Sequence, residues 1–282
     1  MIIDGKAIAG KINAQTAKKV AKLKKQGIHP KLAVVFVGDN KASKTYIKRK
    51  QEAAEEVGIE FKLHKFPAEI KKDELIKEIK KIQKDKNLSG LIVQLPLPEP
   101  LYTSEVLNAV DPSIDVDCLT EENIGKLVMQ TGFLLPPTPG AVLAILKDLE
   151  TDLTGKNITI VGMGALVGKP LAICLTNKKA SLTTCDIHTT NLKKKCRQAD
   201  IIVTAVGKKD LIGANMVKRS AVVIDTGICF VDHKMYGDVN FKKVNKKAGA
   251  ITPVPGGVGP ITVSILLKNT VTCAARNSRV KL

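Results

Sequence analysis

Asn157-Ile158-Thr159-Ile160-Val161-Gly162-Met163-Gly164-Ala165-Leu166-Val167-Gly168 is the stretch whose reading decides the fold. A short β-branched run closes on glycines and a helical pattern follows, so the segment reads as buried strand, tight turn and helix start. A turn of this kind presents backbone N–H groups to a pyrophosphate with no side chain in the way. The spacing is G-x-G-x-x-x-G, a departure from the usual dinucleotide fingerprint, and a plain strand-to-helix turn is the competing reading. Asp186 stands 24 positions beyond Gly162, directly behind the next strand. That is close to the roughly 20-residue offset at which an acidic side chain reaches the adenosine ribose hydroxyls. A carboxylate there would repel a 2′-phosphate and favours NAD over NADP; the alternative is an Asx turn or helix cap.

Working outward, strands are expected at Ile158–Val161, Ser181–Cys185, Ile201–Val206 and Ala221–Ile224, with helices between them, so this half reads as a Rossmann-like, doubly wound α/β domain. The other half repeats the alternation. A helical pattern after Asp4 ends at Gly27, and Leu32–Val37 is a continuous apolar run of the kind a buried parallel strand shows. A helix over 43–57, a strand over 59–66, a helix over 73–84 and a buried strand over 90–95 follow. Asp111-Pro112 and Pro136-Pro137-Thr138-Pro139-Gly140 mark irregular chain and the domain junction. Two α/β domains are therefore expected: residues 1–138, completed by a C-terminal helix over 261–275 that packs back, and residues 139–260. Pro253–Pro260 reads as a Pro/Gly-rich loop.

The chain has 282 residues, and 45 Lys and Arg against 27 Asp and Glu give a net charge of +18. The excess suits an anionic partner, but lysines on the solvated faces of amphipathic helices are the favoured reading. Trp is absent and aromatics make up only 3%. Few platforms remain for stacking bases, so a nucleic-acid-binding protein ranks low. Six scattered cysteines include no C-x-x-C pair, which indicates neither a zinc site nor a disulfide framework, and no metal is expected. No run of about 18 apolar residues and no leader pattern appears, so a soluble cytoplasmic protein is expected.

Tyr46 and Lys50 stand four apart and share a helix face that points to the end of the sheet where α/β folds bind ligands. Gln94 ends a strand beside Leu95-Pro96-Leu97-Pro98, and Asp115 and Asp117 follow Asp111-Pro112. Singly, each reads as ordinary loop or surface chemistry.

In this order they carry a resemblance. Gly38-Asp39-Asn40, Tyr46-Ile47-Lys48-Arg49-Lys50, Val93-Gln94-Leu95-Pro96-Leu97-Pro98, Asp115-Val116-Asp117, Pro137-Thr138-Pro139 and Pro255-Gly256-Gly257-Val258-Gly259-Pro260 match the bifunctional methylenetetrahydrofolate dehydrogenase/cyclohydrolase family. The matches run from Asp4-Gly5-Lys6 to Asn269-Thr270-Val271. The resemblance implies an active site in a cleft between two domains. Lys50 is then the catalytic group, Gln94 orients it, Tyr46 packs on the folate rings, and Asp117 accepts paired hydrogen bonds from the pterin. Leu95, Pro96, Pro255, Gly256 and Gly257 join the substrate site. The cofactor set is Gly162, Met163, Gly164, Val167, Gly168 and Asp186, with Val206, Gly207, Thr226 and Gly227 near the ends of two strands. It also implies a homodimer.

Three departures from the family pattern matter. Met163-Gly164 stands where members commonly carry Arg-Ser, so the arginine expected to hold an NADP phosphate is missing. Cys185-Asp186-Ile187 replaces Cys-His-Ser. Both favour NAD, and both equally suit a chain that keeps only one of the two activities. Cys118 replaces the glycine after Asp-Val-Asp and would strain a loop that needs positive φ. Part of the lysine excess also suits the anionic polyglutamate tail of cellular folates.

Overall fold

The protein is described here by a computed structural model covering residues 1–232 and 234–281. It divides into two compact units, an N-terminal unit of Lys11–Pro137 with Val263–Leu282 and a C-terminal unit of Thr138–Thr262 with Met1–Gly10. The elements run α1 (Gly5–Lys24), β1 (Lys31–Val37), α2 (Lys41–Glu56), β2 (Glu60–Phe66), α3 (Lys72–Ile82), β3 (Leu88–Val93), α4 (Ser104–Leu107), α5 (Glu121–Val128) and α6 (Pro137–Asp148). They continue with β4 (Asn157–Val161), α7 (Gly168–Thr176), β5 (Ser181–Cys185), α8 (Leu192–Gln198), β6 (Ile201–Thr204), β7 (Val222–Asp225), β8 (Cys229–Val231), β9 (Lys234–Tyr236), α9 (Phe241–Val244), β10 (Ala250–Ile251) and α10 (Val258–Asn277).

The N-terminal unit holds a parallel sheet in the order β2-β1-β3. Its central strand explains the unbroken apolar run: Leu32, Val34 and Phe36 enter one core with Val20, Leu23, Leu266 and Val271. Ala33, Val35 and Val37 face the other way, against Leu75, Ile79 and Val106. Alternate residues of one strand thus serve two cores, and each fully buried Leu, Ile or Val stabilises the fold by roughly 1.5–3 kcal/mol. The edge strand β2 alternates between exposed and half-buried positions, as an edge covered on one side should.

The C-terminal unit holds a five-stranded sheet in the order β10-β7-β6-β4-β5, with every pairing parallel. Counted within this unit the order is 2-1-3-4-5, a doubly wound arrangement whose direction of winding reverses between β4 and β6. The first residues extend the sheet at β10: Ile2 pairs in parallel with Ile251, and the Met1 amine donates to Gly249 O at 2.8 Å.

Several expected boundaries shift, each for a local reason. Pro137-Thr138-Pro139-Gly140 is not irregular chain but the first turn of α6, and the two units divide there, between Pro137 and Thr138. Proline suits that turn because its missing N–H would have had no helical partner. The expected strand over 90–95 lies at Leu88–Val93, and the chain turns at Gln94, whose N–H still bonds Val35 O at 2.8 Å. The strand from Ile201 stops at Thr204, because the N–H of Val206 goes to the Asp238 carboxylate. The final helix starts at Val258 and takes Pro260 into its first turn.

α10 is long and apolar enough to cross a membrane by length and composition, but 67% of that window is buried inside the protein. Leu266, Leu267, Val271, Cys273, Ala274 and Ala275 pack in the same core as β1, so α10 is a core helix.

Candidate active site and dinucleotide cradle

α2 follows β1 and brings Lys50 to Gln94 at the carboxyl end of β3, with Tyr46 one turn earlier on the same helix. Asn40 starts the helix by accepting Ser43 N–H with its side chain at 2.9 Å. Lys50 Nζ donates to Gln94 Oε1 at 3.0 Å, and Gln94 Nε2 donates to Leu95 O at 2.6 Å. That second bond fixes the amide orientation, so the carbonyl rather than the NH2 faces the lysine. Burial holds the Lys50 ammonium below the usual lysine range, and the Asp117 charge partly opposes this. Burial likewise pushes the Asp117 carboxyl up, Lys50 pulls it down, and Asp115 adds to the rise. The Tyr46 hydroxyl, one helical turn from Lys50, is buried without a hydrogen-bond partner, and burial raises its pKa. A buried hydroxyl without a partner is a polar group that a bound molecule can satisfy.

Asp117 is placed by a frame that sequence reasoning only half identified. Asp115 is 3% exposed and accepts Thr120 N–H at 2.9 Å, Thr120 Oγ1 at 2.8 Å and Asn123 Nδ2 at 3.0 Å. It is a structural carboxylate. Thr120 also caps α5 through Asn123 N–H, a signal visible as Thr120-Glu121-Glu122-Asn123. From α10, Asn269 Nδ2 donates to Val116 O at 2.9 Å and Leu135 O at 2.8 Å. The residue between the two aspartates is therefore pinned, which holds Asp117 within electrostatic reach of Lys50. Cys118 has φ +55°, so the position does require the left-handed region, and a buried cysteine occupies it.

In the C-terminal unit the glycine turn lies at the β4 end of the switch point. A Cβ on Gly162, at φ +100°, would overlap Ala205 O, and one on Gly168 would overlap Gly162 O and lie 2.8 Å from Met163 Cα. Those two glycines serve the turn itself. Gly164 is different: a Cβ there would meet nothing within 4 Å, so the protein leaves open space at that point. Val167 gives α7 no side-chain cap, and no acidic residue occupies its first turn. Open approach, uncapped helix N–H groups and the topological switch point fit a dinucleotide pyrophosphate.

Asp186 is exposed, and its Oδ1 accepts His188 N–H at 3.0 Å and Thr189 Oγ1 at 3.1 Å. It forms the Asx-type turn that was the competing reading, which still leaves a carboxylate at the end of β5. Gly207 has φ +81°, Thr226 Oγ1 donates to Thr204 O at 2.6 Å, and Gly227 N–H donates to Asp225 Oδ1 at 3.0 Å. Gly256 has φ +102°, and a Cβ on Gly257 would come 2.5 Å from Pro253 O, so Pro255-Gly256-Gly257 is a backbone-only turn. The structure thus gathers Tyr46, Lys50, Gln94, Leu95, Pro96 and Asp117 in one unit. Gly162, Met163, Gly164, Val167, Gly168, Asp186, Val206, Gly207, Thr226, Gly227 and Pro255–Gly257 lie in the other. Sequence reasoning missed Asp225 and Asp238, which bind the loop backbones; nothing in their local pattern marks them.

A doubly wound unit with an open glycine turn, joined in one chain to a unit whose buried lysine is hydrogen-bonded to a glutamine, fits the class of nicotinamide-dependent α/β enzymes. Comparison with known proteins makes that class specific. Residues 3–117 match the catalytic domain of tetrahydrofolate dehydrogenase/cyclohydrolase, and residues 136–278 match its NAD(P)-binding domain. The bifunctional protein FolD of Nautilia profundicola is 46% identical over 97% of this chain and 96% of its own length. The crystal structure of the bifunctional FolD enzyme from Campylobacter jejuni superposes with a TM-score of 0.95 at 42% identity, covering 98% of this chain and 99% of that one. The Trypanosoma brucei FolD structure, complexed with NADP cofactor and inhibitor, gives 0.95 at 33% identity over 99% of each chain. The chain belongs to the tetrahydrofolate dehydrogenase/cyclohydrolase family, and it is an enzyme of folate one-carbon metabolism.

Proposed function

We propose that this chain oxidises methylenetetrahydrofolate to methenyltetrahydrofolate with a nicotinamide dinucleotide and hydrolyses the methenyl product to formyltetrahydrofolate. The observation that carries the reading is the 3.0 Å bond from Lys50 Nζ to Gln94 Oε1, made where burial depresses the amine pKa and Asp117 opposes it. A lysine pulled toward neutrality can both accept and return a proton, which hydrolysis of a methenyl bridge requires. Gln94 holds the amine in place, Asp117 offers two oxygens to paired N–H donors on the pterin, and the orphan Tyr46 hydroxyl supplies a bond that the substrate completes. Leu95 and Pro96 line the same site.

The N-terminal unit carries substrate and proton chemistry, and the C-terminal unit carries the cofactor through the Gly162–Gly168 turn. The bound dinucleotide supplies the hydride acceptor. NAD is the preferred form, because Asp186 places a negative charge where a 2′-phosphate would lie and Met163 offers no counter-charge. The lysine excess suits a polyglutamylated folate, and the working form is a homodimer.

Steady-state oxidation with NAD and NADP in parallel, with methenyl hydrolysis followed separately, tests this. Turnover with NAD well above NADP, together with hydrolysis, is expected. Hydrolysis with neither dinucleotide active would reduce the chain to a cyclohydrolase, and a preference for NADP would remove the role given to Asp186.

A further inference from the structure

Two buried aspartates tie together the loops at the carboxyl ends of β6 and β7. Asp238 is fully buried, with Oδ2 accepting Val206 N–H at 2.8 Å and Oδ1 accepting Gly207 N–H at 2.8 Å and Lys208 N–H at 2.7 Å. Asp225, the last residue of β7, holds Asp238 in turn. Its Oδ1 accepts Asp238 N–H at 3.1 Å, Gly227 N–H at 3.0 Å and Thr204 Oγ1 at 3.0 Å, and its Oδ2 accepts Val239 N–H at 2.9 Å. The glycines fit around these carboxylates: a Cβ at Gly227 would overlap the Asp238 carboxyl, and one at Gly237 would overlap the Asp225 carboxyl.

The strand order says which part of a ligand these loops meet. With the pyrophosphate at the β4 turn and the adenosine ribose toward Asp186 behind β5, the other half of the dinucleotide extends toward β6 and β7. There the loop has turned three donors inward, so its backbone has only carbonyl oxygens to offer a ligand; Val206 is 41% exposed, and Ile228, whose O lies 3.2 Å from a Cβ built on Gly207, is 39% exposed. Acceptors next to an apolar surface suit a carboxamide NH2 on a flat ring.

We propose that Asp238, held by Asp225, is a positioning residue for the dehydrogenase reaction: its carboxylate sets the backbone of Val206–Lys208 to receive the nicotinamide half of the dinucleotide. This rests on the dinucleotide reading given above. Its test is Asp238→Asn in the full chain, which keeps the shape but turns an NH2 donor toward backbone N–H donors. The KM for NAD should rise by about tenfold or more, equivalent to roughly 1.4 kcal/mol, with the KM for folate little changed. Hydrolysis of added methenyltetrahydrofolate, which uses no cofactor, should stay within about twofold of the parent. Amide exchange should accelerate at Val206, Gly207 and Lys208 while β4 and β5 keep their protection. Should Asp238→Asn fail to fold, Asp225→Asn, which loosens the same loop indirectly, should give the same pattern.

Unchanged dinucleotide KM in a folded variant overturns the inference, as does equal loss of hydrolysis and oxidation. A parent protein that binds neither NAD nor NADP defeats the functional reading and the inference with it. A parent that binds NAD, beside a variant that binds it equally well, overturns the inference alone.

Discussion

Burial lowers the Lys50 pKa, while the Asp117 charge and the Gln94 carbonyl favour the ammonium form. Removing either support by Gln94→Met or Asp117→Asn should therefore move the ionisation further down. The corresponding limb in the pH profile of kcat/KM for methenyl hydrolysis is expected at lower pH than in the parent. Lys50→Met should cost at least about 100-fold in hydrolysis without loss of fold, as judged by circular dichroism. At Cys118 two effects of similar size oppose each other: φ +55° costs a non-glycine residue about 1 kcal/mol, and burial of the thiol side chain returns about as much. Cys118→Gly should accordingly change urea-unfolding stability by less than about 1 kcal/mol, whereas Cys118→Val, β-branched at positive φ in a packed core, should lose more than about 2 kcal/mol. Lys50, Gln94 and Asp117 were legible in the sequence as part of a family pattern. The bond between Lys50 and Gln94 was not, since it joins residues 44 positions apart.

At the scale of elements, the β4–α7 turn separates glycines that the fold needs from one whose missing side chain the fold does not require. Gly168→Ala drives a methyl into Gly162 O and should destabilise the protein by more than about 2 kcal/mol in thermal or urea unfolding. Gly164→Ala meets only open space, so stability should stay within about 0.5 kcal/mol while the KM for the dinucleotide rises. A loss of stability at Gly164 would contradict its assignment to the cofactor. The elements themselves were readable where burial is two-sided: β1 declares itself because both faces are covered. Short strands were not. β10 is two residues long and is a strand only because β7 pairs with it, and the β8–β9 hairpin has three residues on each side. Pro137–Gly140 misled because the same prolines that break a helix interior are favoured in a first turn.

Across the whole molecule, stability should carry the signature of Asp225. Burial raises its pKa to about 6, against hydrogen bonds that pull the other way. A carboxyl whose folded pKa lies above its unfolded value of 3.8 contributes stability that is fully present below that value and is lost as pH rises through about 6. The contribution is on the order of 3 kcal/mol. Unfolding free energies of the parent and Asp225→Asn, compared from pH 4.5 to 7.5, should show the parent losing about 2 kcal/mol of this relative to the variant as pH rises, the rest having gone below pH 4.5. A constant difference would mean that Asp225 is not titrating in this window. By itself the sequence determined the α/β class, the doubly wound second half and the glycine turn, and it marked Tyr46, Lys50, Gln94 and Asp117 as candidates for one site, because periodicity, turn chemistry and motif order are local properties of the chain. Only the tertiary structure decided which carboxylates act as scaffolding. Asp115, Asp225 and Asp238 are ordinary acidic residues in the sequence, and their role comes from the backbone N–H groups that distant segments bring to them and from the burial that removes competing water.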